Sequence, residues 1–94
     1  MDNNKFLPVG TVVRLKEGKK NIVISGFCPI SKEDNKMYDY CAFLYPEGMI
    51  APEINFLFNH DQIEQILFKG FVTEEEVAFK AKLNNFLASA ATYL

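Results

Sequence analysis

The stretch Thr11–Phe27, TVVRLKEGKKNIVISGF, has the pattern of a β-hairpin. Apolar and polar side chains alternate in its first six residues, which places Val13 and Leu15 on one apolar face of a strand. The letters EGKK are typical of a turn, and Asn21–Phe27 is dense in the β-branched residues that favour strands. Gly26 is a candidate β-bulge in the second strand. We therefore expect an antiparallel sheet to begin here.

The chain continues with more strand patterns after a polar loop. Met37–Tyr45 is apolar on both alternating faces, as expected of a strand inside a sheet. Pro46–Gly48 predicts a tight turn in which Gly48 takes a positive φ. Pro52 cannot donate to a ladder, so the returning segment Met49–Phe58, which begins as a strand at Met49, is an edge strand or is broken at Pro52.

A short helical turn and a fifth strand are predicted next. Asn59 is a suitable N-cap, and Gln62 stands where a capping box places its second member, so His60–Gln65 is expected to be helical. Ile66–Phe71 is rich in β-formers and predicts the fifth strand.

The last quarter of the chain predicts a long helix. Thr73 and Glu76 form a capping-box pattern, in which the Thr73 hydroxyl accepts from the Glu76 amide and the Glu76 side chain bonds back. Carboxylates crowd the first turn, at the positive end of the helix dipole. We expect a helix from about Glu74 to about Ala91, with an ion pair between Glu76 and Lys80.

This helix is apolar on more than one face. One stripe of apolar residues has the spacing of a face that packs on a sheet, and it runs through Phe79, Leu83, Phe86, Ala90 and Tyr93. Further apolar residues lie outside this stripe. Such a helix in a small domain has a second surface to cover, against a neighbouring copy or a longer partner. The candidate partner-binding residues are Phe79, Leu83, Phe86, Leu87, Ala90 and Tyr93.

Together these patterns predict an α+β fold: an antiparallel sheet of about five strands within residues 11–71 and a C-terminal helix over about 74–91. Whether the sheet curls into a small SH3-like barrel is left open. With 94 residues, of which 49% are hydrophobic and 23% charged, the chain 1–94 suits one domain.

Composition bounds the compartment and the chemistry. No apolar run approaches the roughly 20 residues of a membrane-spanning helix, and the N-terminus lacks a secretory signal. We therefore expect a protein without a membrane partner that is cytoplasmic, or that leaves the cell only by a route that needs no such signal. Cys28 and Cys41 are too few for a disulfide framework and are expected to be unpaired thiols. No ligand spacing predicts a metal, and no glycine-rich loop predicts a phosphate cofactor.

An enzyme is not expected. His60 and Asp61 are adjacent in sequence, but neighbouring residues point in different directions on a helix, and a catalytic dyad needs a nucleophile and alignment in space. Nucleic-acid binding is a weak alternative. The first hairpin carries four cations, but the net charge is −2, and aromatic residues do not alternate with those cations.

Four segments in order resemble a known family. They are LPVGTVVRL (Leu7–Leu15), YDYCAFLYPEG (Tyr38–Gly48), FNH (Phe58–His60) and ILFKGF (Ile66–Phe71). Over residues 6–80 the chain resembles domain of unknown function family 4176, small proteins encoded beside LXG-domain toxins in Gram-positive bacteria. The signature residues are Tyr45, Pro46, Glu47, Gly48, Phe58, Asn59 and His60.

The resemblance implies a non-catalytic targeting adaptor or chaperone. Such a protein binds the helical N-terminal LXG domain of a polymorphic toxin and helps deliver it to the type VII secretion apparatus, with room for a second small helical partner. Self-association is a further option. One alternative is an immunity protein that binds the toxin's C-terminal domain, since immunity genes lie in the same gene neighbourhood. The other alternative is a small SH3-like nucleic-acid-binding module.

Overall fold

The computed structural model describes the backbone from residue 6 to residue 93 and the side chains from residue 6 to residue 88. Within these residues the fold is α+β, as predicted: five strands, a short 3-10 turn and one helix. The elements are β1 (Val12–Leu15), β2 (Asn21–Phe27), β3 (Tyr40–Leu44), β4 (Phe56–Phe58), the 3-10 turn His60–Gln62, β5 (Ile63–Phe68) and α1 (Glu74–Tyr93).

The strands form one antiparallel sheet in the order β4-β3-β2-β1-β5. The first four strands make a meander, and β5 returns to pair with β1. The sheet nevertheless stays open, because β4 and β5 are its two edges and do not pair in the described part of the chain. The central place predicted for β3 and the edge position predicted for β4 are confirmed.

The hairpin forms with the predicted bulge, but its first strand, Val12–Leu15, is one residue shorter at each end than the predicted Thr11–Lys16. β1 pairs with β2 through Val13 and Ile22, and β2 covers the predicted range Asn21–Phe27. The register between β2 and β3 shifts between Ile24 and Gly26. A Cβ at Gly26 would lie 3.0 Å from the sulfur of Cys41, which leaves little space for a larger residue at the bulge.

The strands on either side of the turn are shorter than predicted. β3 begins at Tyr40 instead of Met37, because Met37 pairs only with Ile30 in an isolated bridge that closes the polar loop. The predicted strand start at Met49 is wrong, because Gly48 makes a single bridge to Leu44 and the next strand begins at Phe56. The returning segment is therefore broken near Pro52, which was one of the two predicted alternatives. Gly48 has the predicted positive φ, at 78°.

The predicted boundary between the helical turn and the fifth strand is also wrong. The 3-10 turn ends at Gln62, and β5 begins at Ile63 instead of Ile66. The cause is β1: the Lys16 amide donates to the Gln62 carbonyl at 2.8 Å, so the partner strand is already in place there. β5 ends at Phe68, before the predicted Phe71.

One face of the sheet carries the core. Its fully buried apolar side chains come from the N-terminal segment and from four strands, and α1 packs Leu83 and Leu87 against them. Three aromatic rings meet at its centre, since Tyr40 stacks on Phe58 at 5.2 Å and meets Phe6 edge to face at 5.8 Å. The buried apolar core residues are Phe6, Val13, Ile22, Ile24, Tyr40, Ala42 and Phe58.

The helix begins with the predicted cap. The Glu76 amide donates to Thr73 Oγ1 at 3.0 Å. The return bond of the capping box is absent among the described residues, because the Glu76 carboxylate turns instead to Lys80, whose Nζ lies 3.3 Å from Oε1. The predicted ion pair is thus confirmed. No helix in the described chain is long and apolar enough to cross a membrane.

Candidate interaction surface

Three of the family segments meet at one buried hydroxyl. Tyr40 Oη accepts a hydrogen bond from the Leu7 amide at 2.9 Å and lies 3.0 Å from His60 Nδ1. When His60 is neutral, its Nδ1 can accept the single phenolic hydrogen, and the imidazole then carries its own proton on Nε2. This phenol therefore joins the N-terminal segment, β3 and the 3-10 turn.

Two hydrogen bonds join the backbone before β3 to the 3-10 turn next to this hydroxyl. The Asp39 amide donates to Asn59 Oδ1 at 3.0 Å, and the His60 amide donates to Asp39 Oδ2 at 2.8 Å. The Asn59 amide donates to Gln62 Oε1 at 2.7 Å, which confirms the predicted role of Gln62 at this turn. His60 thus faces Tyr40 through Nδ1, and the signature residues 58–60 take part in a network that joins two parts of the fold.

Burial raises the pKa of Tyr40 to about 12. The unfolded chain ionises this phenol near pH 10, so the neutral form is favoured by folding, and the stability it contributes is lost as pH rises from 10 towards 12. We expect the free energy of unfolding, measured by urea titration, to fall by about 1.4 kcal/mol between pH 9 and pH 11 through this group.

Tyr40→Phe should remove this part of the alkaline loss, at a cost of roughly 1–3 kcal/mol at neutral pH because the Leu7 amide loses its acceptor. Tyr45→Phe is the matched control: Tyr45 lies on the exposed turn, so the variant should keep the alkaline loss. An alkaline slope that Tyr40→Phe leaves unchanged would contradict the assignment.

The other half of the family signature, Tyr45–Gly48, lies at the surface. The turn is closed by the Gly48 amide, which donates to the Leu44 carbonyl at 2.7 Å. Lys20 Nζ lies 2.9 Å from Glu47 Oε2 and ties the first hairpin to this turn. The hydrogen bond from Lys20 lowers the pKa of Glu47. The turn is thus held by local contacts and one exposed ion pair.

Two glycines position the segment after β5. A Cβ on Gly70 would overlap the carbonyl oxygen of Val9, and the Gly70 amide donates to the buried Thr11 hydroxyl at 2.9 Å. Opposite it, Gly10 has a φ of 92°, and a Cβ there would lie 3.9 Å from Gly70 Cα. The backbone of Gly70 is therefore fixed against the first turn of the chain, and the next side chain, Phe71, is 83% exposed.

The structure divides the candidate partner-binding residues of α1 into two groups. Leu83 and Leu87 pack against the core, whereas Phe79 and Phe86 are 48% and 55% exposed. Of the stripe predicted to pack on the sheet, Leu83 packs against the core and the half-exposed Phe79 contacts Phe27 of β2, whereas Phe86 is exposed. The side chains of Ala90 and Tyr93 lie outside the described residues.

A lysine takes part of the buried face of the helix instead. Lys80 is only 7% exposed, and it lies one turn after the partly buried Glu76 and one turn before Leu83. Its long methylene stem can cover apolar surface while its ammonium group reaches the Glu76 carboxylate. The helix is thus rotated so that Val77, Phe79 and Phe86 remain exposed.

An aromatic groove of about 480 Å³ lies between the end of β2 and the segment that leads from Phe71 into α1. The sequence pattern did not identify it, because Phe71 was assigned to a strand; the only signal was a glycine followed by an aromatic residue. The groove is lined by Val9, Ser25, Gly26, Phe27, Phe71, Thr73, Glu75, Glu76 and Phe79.

The remaining candidates have less distinctive geometry. Cys28 and Cys41 do not form a disulfide. The described residues include no group of histidine, cysteine and carboxylate side chains that could hold a metal ion. β5 is an edge strand whose Ile66, Leu67 and Phe68 are largely exposed, and none of its residues lines the groove.

The architecture and the surface define a small α+β domain, in which an open five-stranded sheet is packed by a C-terminal helix. The chain belongs to the family described as Domain of unknown function (DUF4176), whose model matches residues 6–79. The match covers every strand and ends at Phe79, in the second turn of α1. Comparison with curated proteins and with solved structures gave no match.

Proposed function

We propose that this protein is a non-catalytic targeting adaptor. It binds the helical N-terminal LXG domain of a polymorphic toxin in the cytoplasm and helps deliver it to the type VII secretion apparatus. The observation that carries this proposal is the surface of α1, a helix that packs Leu83 and Leu87 on the core and still exposes Val77, Phe79 and Phe86. The resemblance of the family segments to LXG-associated proteins supplies the identity of the partner.

The exposed side of α1 suits a helical partner. Phe79 and Phe86 are seven residues apart and share one side of α1, where they can pack against another helix, whereas Val77 lies on a different side. Aromatic residues are enriched among the positions that dominate binding energy. The acidic first turn, Glu74–Glu76, gives the surface a charge to which a partner must be complementary. The exposed apolar side chains of β5, Ile66, Leu67 and Phe68, offer a separate contact for a second small helical partner.

The test is a pull-down against the two halves of the toxin separately. An adaptor retains the N-terminal LXG half, and retention of the C-terminal catalytic half alone would instead indicate an immunity protein. Heparin chromatography at several salt concentrations tests the nucleic-acid alternative, for which retention that falls steeply with salt is expected.

Phe86→Ser is expected to weaken binding to the LXG half by about 30-fold. This corresponds to the loss of about 2 kcal/mol of binding free energy, which is typical of a hot-spot position. Phe86 is exposed in the unbound chain, so the variant should keep its stability within about 0.5 kcal/mol. The measurement is isothermal titration calorimetry on the purified chain and the purified LXG half.

Lys82→Ala is the matched control, because Lys82 is also exposed on α1 and the substitution removes no apolar contact. Equal affinities for both variants and the wild-type chain would contradict docking on this helix. A truncation after Asn84 is a poorer test, because it also removes Leu87 from the core.

A further inference from the structure

We propose that the aromatic groove between the end of β2 and the start of α1 receives a cationic side chain, Lys or Arg, from the toxin's helical domain. Phe71 is the main contact of this site, and Glu75 supplies its charge. The inference rests on the proposed function and names the chemistry of the contact.

Phe71 is exposed and yet held in position. It is the most exposed of the large apolar side chains, at 83%, and the residue before it is fixed between the Val9 carbonyl and the Thr11 hydroxyl. An aromatic ring on an anchored backbone loses little conformational entropy on binding, which favours its use as a contact residue.

The opposite wall of the groove is connected to the core. Phe79 contacts Phe27 with their ring centroids 5.8 Å apart, and Phe27 in turn meets Phe6 at 5.7 Å and Tyr40 at 6.1 Å. Phe79 is thus held by the aromatic rings of the core, and it forms the wall of the groove opposite Phe71. Aromatic faces within about 6 Å attract an ammonium or guanidinium group.

The charge of the groove favours a cation over a neutral or acidic side chain. Glu75 and Glu76 line it, and no lysine or arginine is among its lining residues. Lys80 Nζ lies 3.3 Å from Glu76 Oε1 and offsets the charge of that carboxylate, so Glu75 provides the unpaired negative charge among the lining residues. The N-terminus of α1 carries about half a positive charge from the helix dipole, which repels a cation. The negative charge of the carboxylates in the first turn is larger than this half charge.

The experiment measures the Kd of the full chain for the purified LXG half at 50 and 300 mM NaCl. Phe71→Ala is expected to weaken binding at least about ten-fold at both salt concentrations. Glu75→Lys is expected to weaken it about ten-fold at 50 mM and less at 300 mM, because salt screens the charge. The matched controls are Phe68→Ala and Glu64→Lys, exposed on β5 outside the groove, and both should stay within about two-fold.

The outcomes separate the two proposals. If the wild-type chain binds the LXG half and all four variants bind equally well, the groove is overturned and the adaptor function stands. If the wild-type chain does not bind the LXG half, the adaptor function fails and the groove proposal fails with it. A Phe71-dependent dimer of the chain, seen by sedimentation without toxin, would assign the groove to a second copy and would also overturn the proposal.

Discussion

Phe58→Ala is expected to lower the free energy of unfolding by about 3–5 kcal/mol. Phe58 is fully buried, its ring stacks on Tyr40 at 5.2 Å, and it lies in β4, the three-residue edge strand. Removing the ring leaves a cavity beside Tyr40 and removes the main apolar contact that holds this short edge strand. Since small domains are stable by about 5–15 kcal/mol, the variant should be largely destabilised.

Urea unfolding followed by circular dichroism measures this loss. Phe68→Ala is the matched control, because it removes the same ring from the opposite edge strand at a position that is 64% exposed. We expect the control to lose less than about 1 kcal/mol. Comparable losses of unfolding free energy in the two variants would contradict the buried position of Phe58 in the core.

Local patterns predicted the parts of the fold that depend on local sequence. The hairpin β1–β2, the bulge at Gly26 and the Thr73 cap each rest on residues within a few positions of one another, and all three are confirmed. The start of β5 was missed because it depends on pairing with β1, about 48 residues earlier, through Leu15 and Ile63. Propensity in a short window contains no information about that partner.

The packed side of the helix could not be predicted from apolar spacing. The pattern favoured a stripe through Phe79, Leu83 and Phe86, but of these only Leu83 packs against the core, and Lys80 is buried beside it. A lysine is rarely buried, and here its pairing with Glu76 reduces the cost of placing the charge inside. The rotation of the helix is thus decided by the shape of the sheet surface, which the helix sequence alone does not describe.

The structure separates the two halves of the family signature. Phe58–His60 lies in the network around Tyr40, whereas Tyr45–Gly48 is an exposed turn closed by its own backbone. The glycines of the first and last family segments, Gly10 and Gly70, pack against each other and position Phe71. That contact was not predictable, because it joins residues 60 positions apart through backbone atoms.

Gly70→Ala is expected to lower the free energy of unfolding by about 3 kcal/mol, through overpacking and the weakened Thr11 hydrogen bond. The new Cβ would overlap the Val9 carbonyl oxygen and lie 3.0 Å from the Thr11 amide nitrogen. Both are backbone atoms of the chain entering β1, so no side chain can rotate to relieve the contact. The measurement is urea unfolding of the variant, in which Phe71 itself is not substituted.

Gly48→Ala is the matched control for this substitution. Gly48 has a φ of 78°, and nothing lies within 4 Å of a Cβ built there. The control therefore carries only the cost of a left-handed backbone, about 1–2 kcal/mol. A Gly70→Ala loss no larger than the control loss would mean that the Val9 strand entry yields easily, and Phe71 would then not be held in a fixed position at the groove.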